Sequence, residues 1–252
     1  MRITVLGKSP AWQDAGGACS GYLVEAGGVR LLLDCGNGVF AKLRTACDFA
    51  ALDAVVVSHL HADHFIDLVP YAYALAYSPQ ARGADRRPLL HAPPGARETF
   101  RRITGAWEAE ELIEQAFEVR EYDPAAELEL GALRLRFHEV PHFIRTHAVQ
   151  VRDGSATFTY GADCSPNEAI VDFARDSDLL MLEATELAPE REGERGHMTP
   201  AEAGAHGRAA GARRLVLTHI SADVDQAWAS AEAERTYGAP VELAREGAVY
   251  DV

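Results

Sequence analysis

The sequence contains few cysteines, and their spacing excludes the frameworks that cysteine usually builds. The residues Cys19, Cys35, Cys47 and Cys164 are scattered, and none of them forms a CxxC pair. Disulfide-stabilised domains and thiolate zinc sites both depend on paired, regularly spaced cysteines. We therefore expect free, buried thiols in a reducing compartment.

Long apolar runs are also absent. No stretch among the 252 residues reaches the length of a signal-peptide core or of a membrane span. With 48% hydrophobic residues, the chain is large enough for one sizeable core or for two fused halves. We expect a single domain over residues 1–252, located in the cytoplasm and without a membrane partner.

Positive charge is scarce. The chain carries 24 Lys and Arg against 38 Asp and Glu, which gives a net charge of −14 at pH 7. An acidic surface repels polyanions at long range, so a long nucleic acid is a poor default partner. A local basic patch could still form from the arginines Arg82, Arg86, Arg87, Arg101 and Arg102, although such charges usually make only a solvated surface.

Strand signals dominate the first half of the chain. The run YLVEAGGVRLLLDCG reads as a hairpin broken by Gly-Gly, and LDAVVVSH reads as a short buried strand. Apolar residues then recur at helical spacing from Phe65 to Leu75. A strand at PLLHAP, a helix at ARETFRRIT and a Glu-rich helix near residues 107–117 complete this half.

The second half repeats that order loosely. LELGALRLRFHEV and HAVQVRDGSATFTYGAD each predict a hairpin turned by glycine. Strands and helices then alternate, and the capping box from Thr199 to Glu202 starts a helix that we expect to run to Gly211. This order predicts two packed sheets with helices outside.

The segment HLHADH, residues 59–64, concentrates three imidazoles and one carboxylate directly after a buried strand. In an extended strand end, His59 and His61 lie on one face, two residues apart. Asp63 and His64 come round to the same side where the chain turns into a helix. One metal ion could bind the first pair and a second ion the other pair, with Zn²⁺ favoured and Mn or Fe open.

A two-metal site needs further ligands, and three candidates follow predicted strands. His142 follows LRLRFHEV, Asp163 ends TFTYGAD and His219 ends RLVLT. Each of them alone would more often be a core or surface residue. Their equivalent positions beside HLHADH favour a shared metal site.

This pattern resembles the metallo-β-lactamase superfamily over nearly the whole chain. HLHADH is preceded by Asp34 in LLLDCG and followed in order by His142, Asp163 and His219. The stretches LEAT (182–185) and GHMT (196–199) are similar to loop motifs of the ribonuclease Z branch, which includes bacterial cyclic-nucleotide phosphodiesterases. The resemblance implies a four-layer αββα sandwich, an α/β fold with two mixed β-sheets and helices on the outer faces.

The resemblance also assigns roles. It implies one metal ion on His59, His61 and His142, a second ion on Asp63, His64 and His219, and Asp163 as the bridge between them. Asp34 would orient a ligand imidazole from outside the ligand set. Of the residues not bound to metal, His197 would contact the scissile phosphate and protonate the leaving oxygen.

Two carboxylates would assist these histidines. Asp63 could accept the proton of the attacking water, and Glu183 could pair with His197 and raise its pKa. For Glu183, a capping role at its strand end is nearly as well supported. We expect the remaining histidines, His91, His138, His147 and His206, to be structural or surface residues.

The sequence departs from the family pattern at two points. Ribonuclease Z enzymes that process tRNA carry a long arm between the third-histidine motif and the bridging aspartate, whereas here only one hairpin fits between His142 and Asp163. Cys164 replaces the usual threonine after that aspartate. The short interval and the acidic charge argue against tRNA.

The sequence therefore predicts a binuclear, metal-dependent hydrolase of a small phosphodiester, such as a cyclic nucleotide. A lactonase or thioesterase, an RNA-processing nuclease of ribonuclease Z type, and a non-catalytic metal-binding protein are the alternatives. The oligomeric state is open, with a homodimer as one option.

Overall fold

The computed structural model describes residues 1–82, 87–154, 156–189 and 193–252. Within these ranges, no helix combines the length and the hydropathy that a bilayer span requires. The strands are β1 (Arg2–Gly7), β2 (Gly21–Ala26), β3 (Val29–Leu33), β4 (Ala54–Val56), β5 (Leu89–Ala92), β6 (Glu118–Glu121), β7 (Leu128–Leu130), β8 (Leu133–Val140), β9 (Thr146–Asp153), β10 (Ala156–Tyr160), β11 (Leu179–Glu183), β12 (Leu215–Thr218), β13 (Glu242–Leu243) and β14 (Val249–Asp251).

The strands of the described residues form two mixed sheets of seven strands each. The first has the order β14-β1-β2-β3-β4-β5-β6, and the second has the order β13-β12-β11-β10-β9-β8-β7. In the first sheet β1, β2 and β3 pair antiparallel, whereas β3 to β6 run parallel. The second sheet likewise changes from antiparallel to parallel, at β10. The loose repeat expected from the sequence is therefore a repeat of sheet topology.

Helices cover the outer faces of both sheets. They are α1 (Val39–Ala46), α2 (Ala62–Phe65), α3 (Leu68–Tyr77), α4 (Ala96–Thr104), α5 (Leu112–Ala116), α6 (Glu168–Phe173), α7 (Pro200–Ala209) and α8 (Gln226–Tyr237). Three apolar clusters follow from this layering. One lies between the sheets and includes Tyr22, Phe158 and Tyr160, and the other two lie between a sheet and its helices. The αββα sandwich is confirmed.

Every second side chain of several strands is buried, which explains why the two sheets pack face to face. Along β1, Ile3 and Val5 are fully buried between the sheets. Along β8, Leu133, Leu135 and Phe137 are likewise buried there. Side chains two residues apart lie on one face of a strand. Each of these strands therefore presents one apolar face to the other sheet.

Several predicted elements differ from those observed. The helix expected from Phe65 to Leu75 is two helices, α2 and α3, because the backbone N–H of Asp67 donates to Cys35 O (3.1 Å) instead of continuing the helix. Strand β4 ends at Val56, so His59 and His61 lie in the following loop and not in an extended strand end.

The expected helix near residues 107–117 is also wrong in extent. A left-handed backbone at Glu108 (φ 62°) interrupts it, and only Leu112–Ala116 is α-helical. The strand β6 that follows was not predicted, because only Val119 in it is buried. The capping box at Thr199 is present as predicted, but α7 ends at Ala209, and Gly211 beyond it adopts φ 67°.

Candidate metal centre

The predicted ligands converge at one end of the sandwich, where the carboxyl ends of central strands from both sheets meet. Residues 59–64 follow β4 of the first sheet, and Asp34 follows β3. Three side chains arrive from the second sheet, namely His142 after β8, Asp163 after β10 and His219 after β12. The centre therefore spans the gap between the two sheets.

The backbone around the centre is unusually tight. A Cβ at Gly36 would lie 1.8 Å from the carbonyl oxygen of Asp63, so only glycine lets the loop after β3 pack against α2. Asp34, Ala162 and His219 all adopt φ between 52° and 58° without being glycine. Such left-handed residues cost about 1–2 kcal/mol each and cluster at functional sites.

A first cluster contains three imidazoles. His61 Nδ1 lies 3.2 Å from His59 Nε2 and 3.0 Å from His142 Nε2. Neighbouring nitrogen ligands of a tetrahedral zinc ion, each about 2.0–2.1 Å from the metal, are separated by about 3.3 Å. Asp163 Oδ2 lies 3.8 Å from His59 Nε2 and 3.9 Å from His142 Nε2. These four side chains could hold one metal ion.

A second cluster shares Asp163 with the first. Asp163 Oδ2 lies 3.2 Å from His64 Nε2 and 3.3 Å from His219 Nε2. Asp63 Oδ2 lies 3.4 Å and 3.2 Å from the same two nitrogens. This group could hold a second ion, with Asp163 within reach of both.

The chemistry of this donor set fits divalent cations. His64 Nε2 and Asp163 Oδ1 are buried in the described structure and have no hydrogen-bond partner. Burial disfavours the charged forms of both groups, yet the carboxylates of Asp163 and Asp34 raise the pKa of His64 well above its usual value. Asp163 has its pKa held well below the usual range, against burial, by His219 and His64. The pocket thus attracts positive charge.

Hydrogen-bond acceptors behind the rings fix which nitrogen faces the centre. His64 Nδ1 donates to Asp34 Oδ2 (2.8 Å), and His142 Nδ1 donates to Gly196 O (2.8 Å). Ser58 Oγ donates to Asp34 Oδ2 (2.8 Å) and is left to accept from His59 Nδ1 (3.0 Å). Because Nδ1 of His59, His64 and His142 is engaged in this way, Nε2 is the nitrogen of these three rings that is left to bind a metal ion.

His219 is oriented through a longer chain of contacts. Its Nδ1 donates to Thr185 Oγ1 (2.8 Å), which lies 2.7 Å from Glu183 Oε2. Glu183 is almost fully buried, and its other oxygen accepts from the backbone N–H of Cys164 (2.9 Å), next to Asp163. Glu183 is therefore connected to both the His219 ring and the loop that carries Asp163.

The same carboxylate holds His197. His197 Nδ1 donates to Glu183 Oε1 at 2.8 Å. Burial by itself lowers the pKa of His197, but the hydrogen bond and charge of Glu183 outweigh it and raise the pKa to about 9. The His197 ring centre lies 4.9 Å from that of His142 and 5.5 Å from that of His219. The imidazole paired with Glu183 thus stands beside both clusters.

A cavity of about 490 Å³ opens above the two clusters. Its lining includes His61, Asp63, Asp163, His197 and His219. Pro10, Trp12 and Phe143 form further parts of its wall. The Phe143 ring also packs against Gly196, where a Cβ would lie 2.2 Å from Cε2 of that ring. The cavity gives a small substrate access to the candidate ligands.

The sequence did not single out three contributors. Ser58 directly precedes HLHADH, Thr185 lies two residues after Glu183, and the carbonyl of Gly196 lies in the GHMT stretch. Thr185 and Gly196 lie inside the LEAT and GHMT stretches, and Ser58 is adjacent to HLHADH, so membership of these motifs or closeness to them was the available signal. No side-chain pattern marked Trp12 or Phe143.

The remaining histidines lie outside both clusters. His91 and His147 are buried within β5 and β9, His138 is exposed on β8, and His206 contacts the backbone N–H of Asn167 from α7 (3.0 Å). The four cysteines are free, and Cys47 is only half-buried.

Comparisons with known proteins bear on the family and the fold. Residues 29–220 match the model of the beta-lactamase superfamily domain. The probable metallo-hydrolase YhfI of Bacillus subtilis is 30% identical over 251 residues, and the match covers 100% of both chains. Its crystal structure, described as a metallo-beta-lactamase fold protein, superposes with a TM-score of 0.89, at 29% identity, over 99% of this chain and 98% of that one.

Two further relatives carry more specific descriptions. A ribonuclease Z of Myxococcus xanthus is 28% identical over 299 residues, covering 98% of this chain and 96% of the relative. A diphosphatase from the PhnP family has a TM-score of 0.74 at 21% identity, over 100% of this chain and 97% of that one. The latter likeness concerns the fold alone.

Proposed function

We propose that this chain, which belongs to the beta-lactamase superfamily, hydrolyses a small phosphodiester with two bound divalent metal ions. Family membership and the relatives identify a hydrolase of metallo-β-lactamase fold, and that fold implies divalent metal ions. The number and identity of the ions and the substrate belong to our proposal. Zinc suits the mixed imidazole and carboxylate set, with Mn and Fe as alternatives.

The two clusters support the following ligand assignment. One ion would be held by His59, His61 and His142, and Asp163 would be shared with the second ion. The second ion would further be held by Asp63, His64 and His219. Bound there, the ions would lower the pKa of water and neutralise charge on the phosphoryl oxygens.

Two residues would carry out the proton transfers, one as the base and the other as the acid. Asp63, at the floor of the cavity, would accept the proton of the attacking water. His197 would donate a proton to the leaving oxygen, since Glu183 occupies Nδ1 and leaves Nε2–H as the donor. A positioned acid of this kind contributes about 10²–10⁴-fold to a rate.

The pairing of His197 with Glu183 beside the clusters is the observation that carries the proposal. An alkoxide expelled from a phosphodiester is a poor leaving group and needs a proton. Opening a lactone or a thioester makes a smaller demand on such an acid. A buried carboxylate that keeps a cavity-lining imidazole protonated therefore favours the phosphodiester.

The test is the variant His197→Ala, with metal content measured in each preparation. We expect turnover of an alkyl phosphodiester to fall about 10²–10⁴-fold. Turnover of a nitrophenyl phosphodiester should fall much less, because that leaving group needs no proton. The exposed His138 provides a matched control, and His138→Ala should leave both rates unchanged. Equal losses for both leaving groups would contradict the role of His197.

A lactonase or thioesterase is the first alternative. It would show lactone turnover that exceeds phosphodiester turnover and that persists in His197→Ala. A metal-loaded protein inert towards both classes of substrate would favour a non-catalytic role.

An RNA-processing nuclease is the second alternative, favoured by the ribonuclease Z relatives. We propose a small substrate instead, for two reasons. The segment between His142 and Asp163 consists of the β9–β10 hairpin in its described residues, which leaves no room there for an arm. The net charge is −14. RNA binding that weakens steeply with salt would contradict this choice.

The possible basic patch adds little to the case for RNA. Arg101 pairs with Glu114 (2.6 Å), and Arg87 donates to the Glu114 carbonyl (2.6 Å). Arg86 lies outside the described residues. The single domain over residues 1–252, the cytoplasmic location and the open question of a homodimer stay as predictions.

A further inference from the structure

An apolar groove continues the cavity above the metal centre. It has a volume of about 440 Å³, and its lining includes Leu187, Val224 and Trp228. Pro10, Trp12 and Thr185 line both the groove and the cavity. A molecule whose reacting group lies over the clusters could therefore extend directly into the groove.

The side chains of this groove are exposed although they are large and apolar. Trp12 is 56% exposed, Leu187 60% and Trp228 37%. Contiguous exposed apolar surface of this kind marks ligand grooves and interaction sites. Here its continuity with the cavity points to a part of the substrate as the occupant.

The charge of the groove lining limits which substrate groups could bind there. Among the described residues, neither the groove nor the cavity has Lys or Arg in its lining, whereas Glu186, Asp223 and Asp225 contribute acid. Asp225 caps α8 and accepts from the backbone N–H of Trp228 (3.1 Å), so its carboxylate is held at the groove. A second phosphate entering the groove would meet negative charge and no described counterion.

We propose that the groove of Pro10, Trp12, Leu187, Val224 and Trp228 binds the uncharged planar base of a nucleotide phosphodiester that carries a single negative charge. This inference rests on the proposed function. Indole rings bind a base by stacking, which is worth about 5- to 150-fold in affinity per base. Trp12 and Trp228 are thereby assigned as specificity-determining residues.

The kinetic test uses three substrates with the same nitrophenyl leaving group. They are methyl p-nitrophenyl phosphate, the p-nitrophenyl ester of thymidine 5′-monophosphate, and the same nucleoside ester with an added 3′-phosphate. We expect the metal-loaded protein to prefer the singly charged nucleoside ester over the methyl ester by about 5- to 150-fold in kcat/KM. The added phosphate should remove most of that preference at low salt.

Substitution then identifies the groove. Trp12→Ala and Trp228→Ala should each reduce the preference for the nucleoside ester, mainly through KM. In Trp228→Ala, whose side chain lines the groove and not the cavity above the clusters, turnover of the methyl ester should fall much less than turnover of the nucleoside ester, and this retained turnover also controls for folding. Trp107→Ala is the matched control, since Trp107 is 43% exposed and does not line the groove. An unchanged preference in both groove variants would overturn the inference.

A binding measurement separates this inference from the proposed function. The chain contains three tryptophans, so Trp107→Phe leaves only the two in the groove as fluorophores. Adenosine should quench that emission saturably, and adding Trp228→Ala should weaken its binding. Saturable quenching without turnover of any phosphodiester would overturn the proposed function and support the groove. Phosphodiester turnover with only linear, unsaturable quenching would support the proposed function and overturn the inference about the groove.

Discussion

Replacing Asp34 with asparagine tests whether this carboxylate orients the candidate ligand His64 for metal binding. Asp34 is fully buried and accepts four hydrogen bonds, from Ser58 N (2.7 Å), Ser58 Oγ (2.8 Å), His64 Nδ1 (2.8 Å) and Tyr160 OH (3.0 Å). Three of these bonds end on Oδ2 and one on Oδ1, so the NH₂ of asparagine meets a donor whichever way the amide is turned: Ser58 N at the Oδ1 position, or Ser58 Oγ, His64 Nδ1 and Tyr160 OH at the Oδ2 position. Asparagine tolerates the left-handed backbone at this position, so backbone strain is not the cause of any effect.

The expected loss follows from the tautomer of His64. With its NH₂ at the Oδ2 position, the amide cannot accept the hydrogen of His64 Nδ1, and the ring then gains by carrying its hydrogen on Nε2, which faces the centre. With its NH₂ at the Oδ1 position, the amide opposes the backbone N–H of Ser58, which displaces the side chain from His64. That hydrogen must leave before a metal ion can bind. Partners of this kind contribute about 10–100-fold to metal affinity, or about 1.4–2.7 kcal/mol.

The assay is competition for zinc between the protein and a chromophoric chelator, with Asp34→Asn and the wild type measured at the same pH. Tyr160→Phe is the control, because it removes one bond to Asp34 Oδ2 and leaves the bond to His64. We expect Tyr160→Phe to lower stability by about 0.5–1.5 kcal/mol and to change zinc affinity little. Wild-type zinc affinity in Asp34→Asn would refute the reasoning.

Three further predictions concern stability. A chelator should lower the free energy of unfolding by about 2.7 kcal/mol if an ion had been present at 100 times its Kd, and an unchanged melting temperature would contradict a bound ion. Burial lowers the pKa of His91 to about 4, so the unfolded chain takes up this proton first as the pH falls and stability is lost below about pH 6.5. Urea unfolding at pH 8 and pH 5 should show that His91→Gln removes about 2 kcal/mol of this pH dependence. Thr199→Ala deletes the capping contact to the Glu202 N–H (3.3 Å) and should cost about 0.5–2 kcal/mol in urea unfolding, whereas the exposed Thr45→Ala should cost little.

Local signals predicted the fold well where one rule governed the backbone. Gly27 and Gly28 both adopt positive φ and turn the β2–β3 hairpin, as the Gly-Gly pair indicated. The capping box at Thr199 likewise depends on neighbours within four residues. By contrast, the break between α2 and α3 depends on Cys35, which is distant in sequence and bonds to Asp67 only in the folded chain. Contacts of that kind leave no trace in local periodicity.

The short strands at sheet edges were missed for a related reason. In β6 only one side chain is buried, and β13 contains two residues. Pairing with an existing neighbour strand creates such elements, so a pattern of burial cannot reveal them beforehand. They extend the sheets without affecting the centre.

For the site, residue type and order were informative because metal ligands are chemically restricted. The structure brings together all seven predicted ligands, and it places Glu183 against His197. The supporting residues Ser58 and Thr185 were not found, since hydroxyl groups occur everywhere and only geometry distinguishes these two. The groove at Trp12 could not be predicted either, because it joins loops that are far apart in the chain.

The candidate ligands come from both sheets, so metal binding depends on the packing of one sheet against the other. Four of them belong to the first sheet and three to the second, so neither half of the molecule can supply a complete set. With Asp163 shared between two ions, the bound ions would connect the two sheets. Full occupancy would therefore indicate that both halves of the molecule had folded and packed together. A chain in which one half is misfolded would be unable to bind both metal ions. Such a chain would therefore be inactive rather than hydrolyse the wrong molecule.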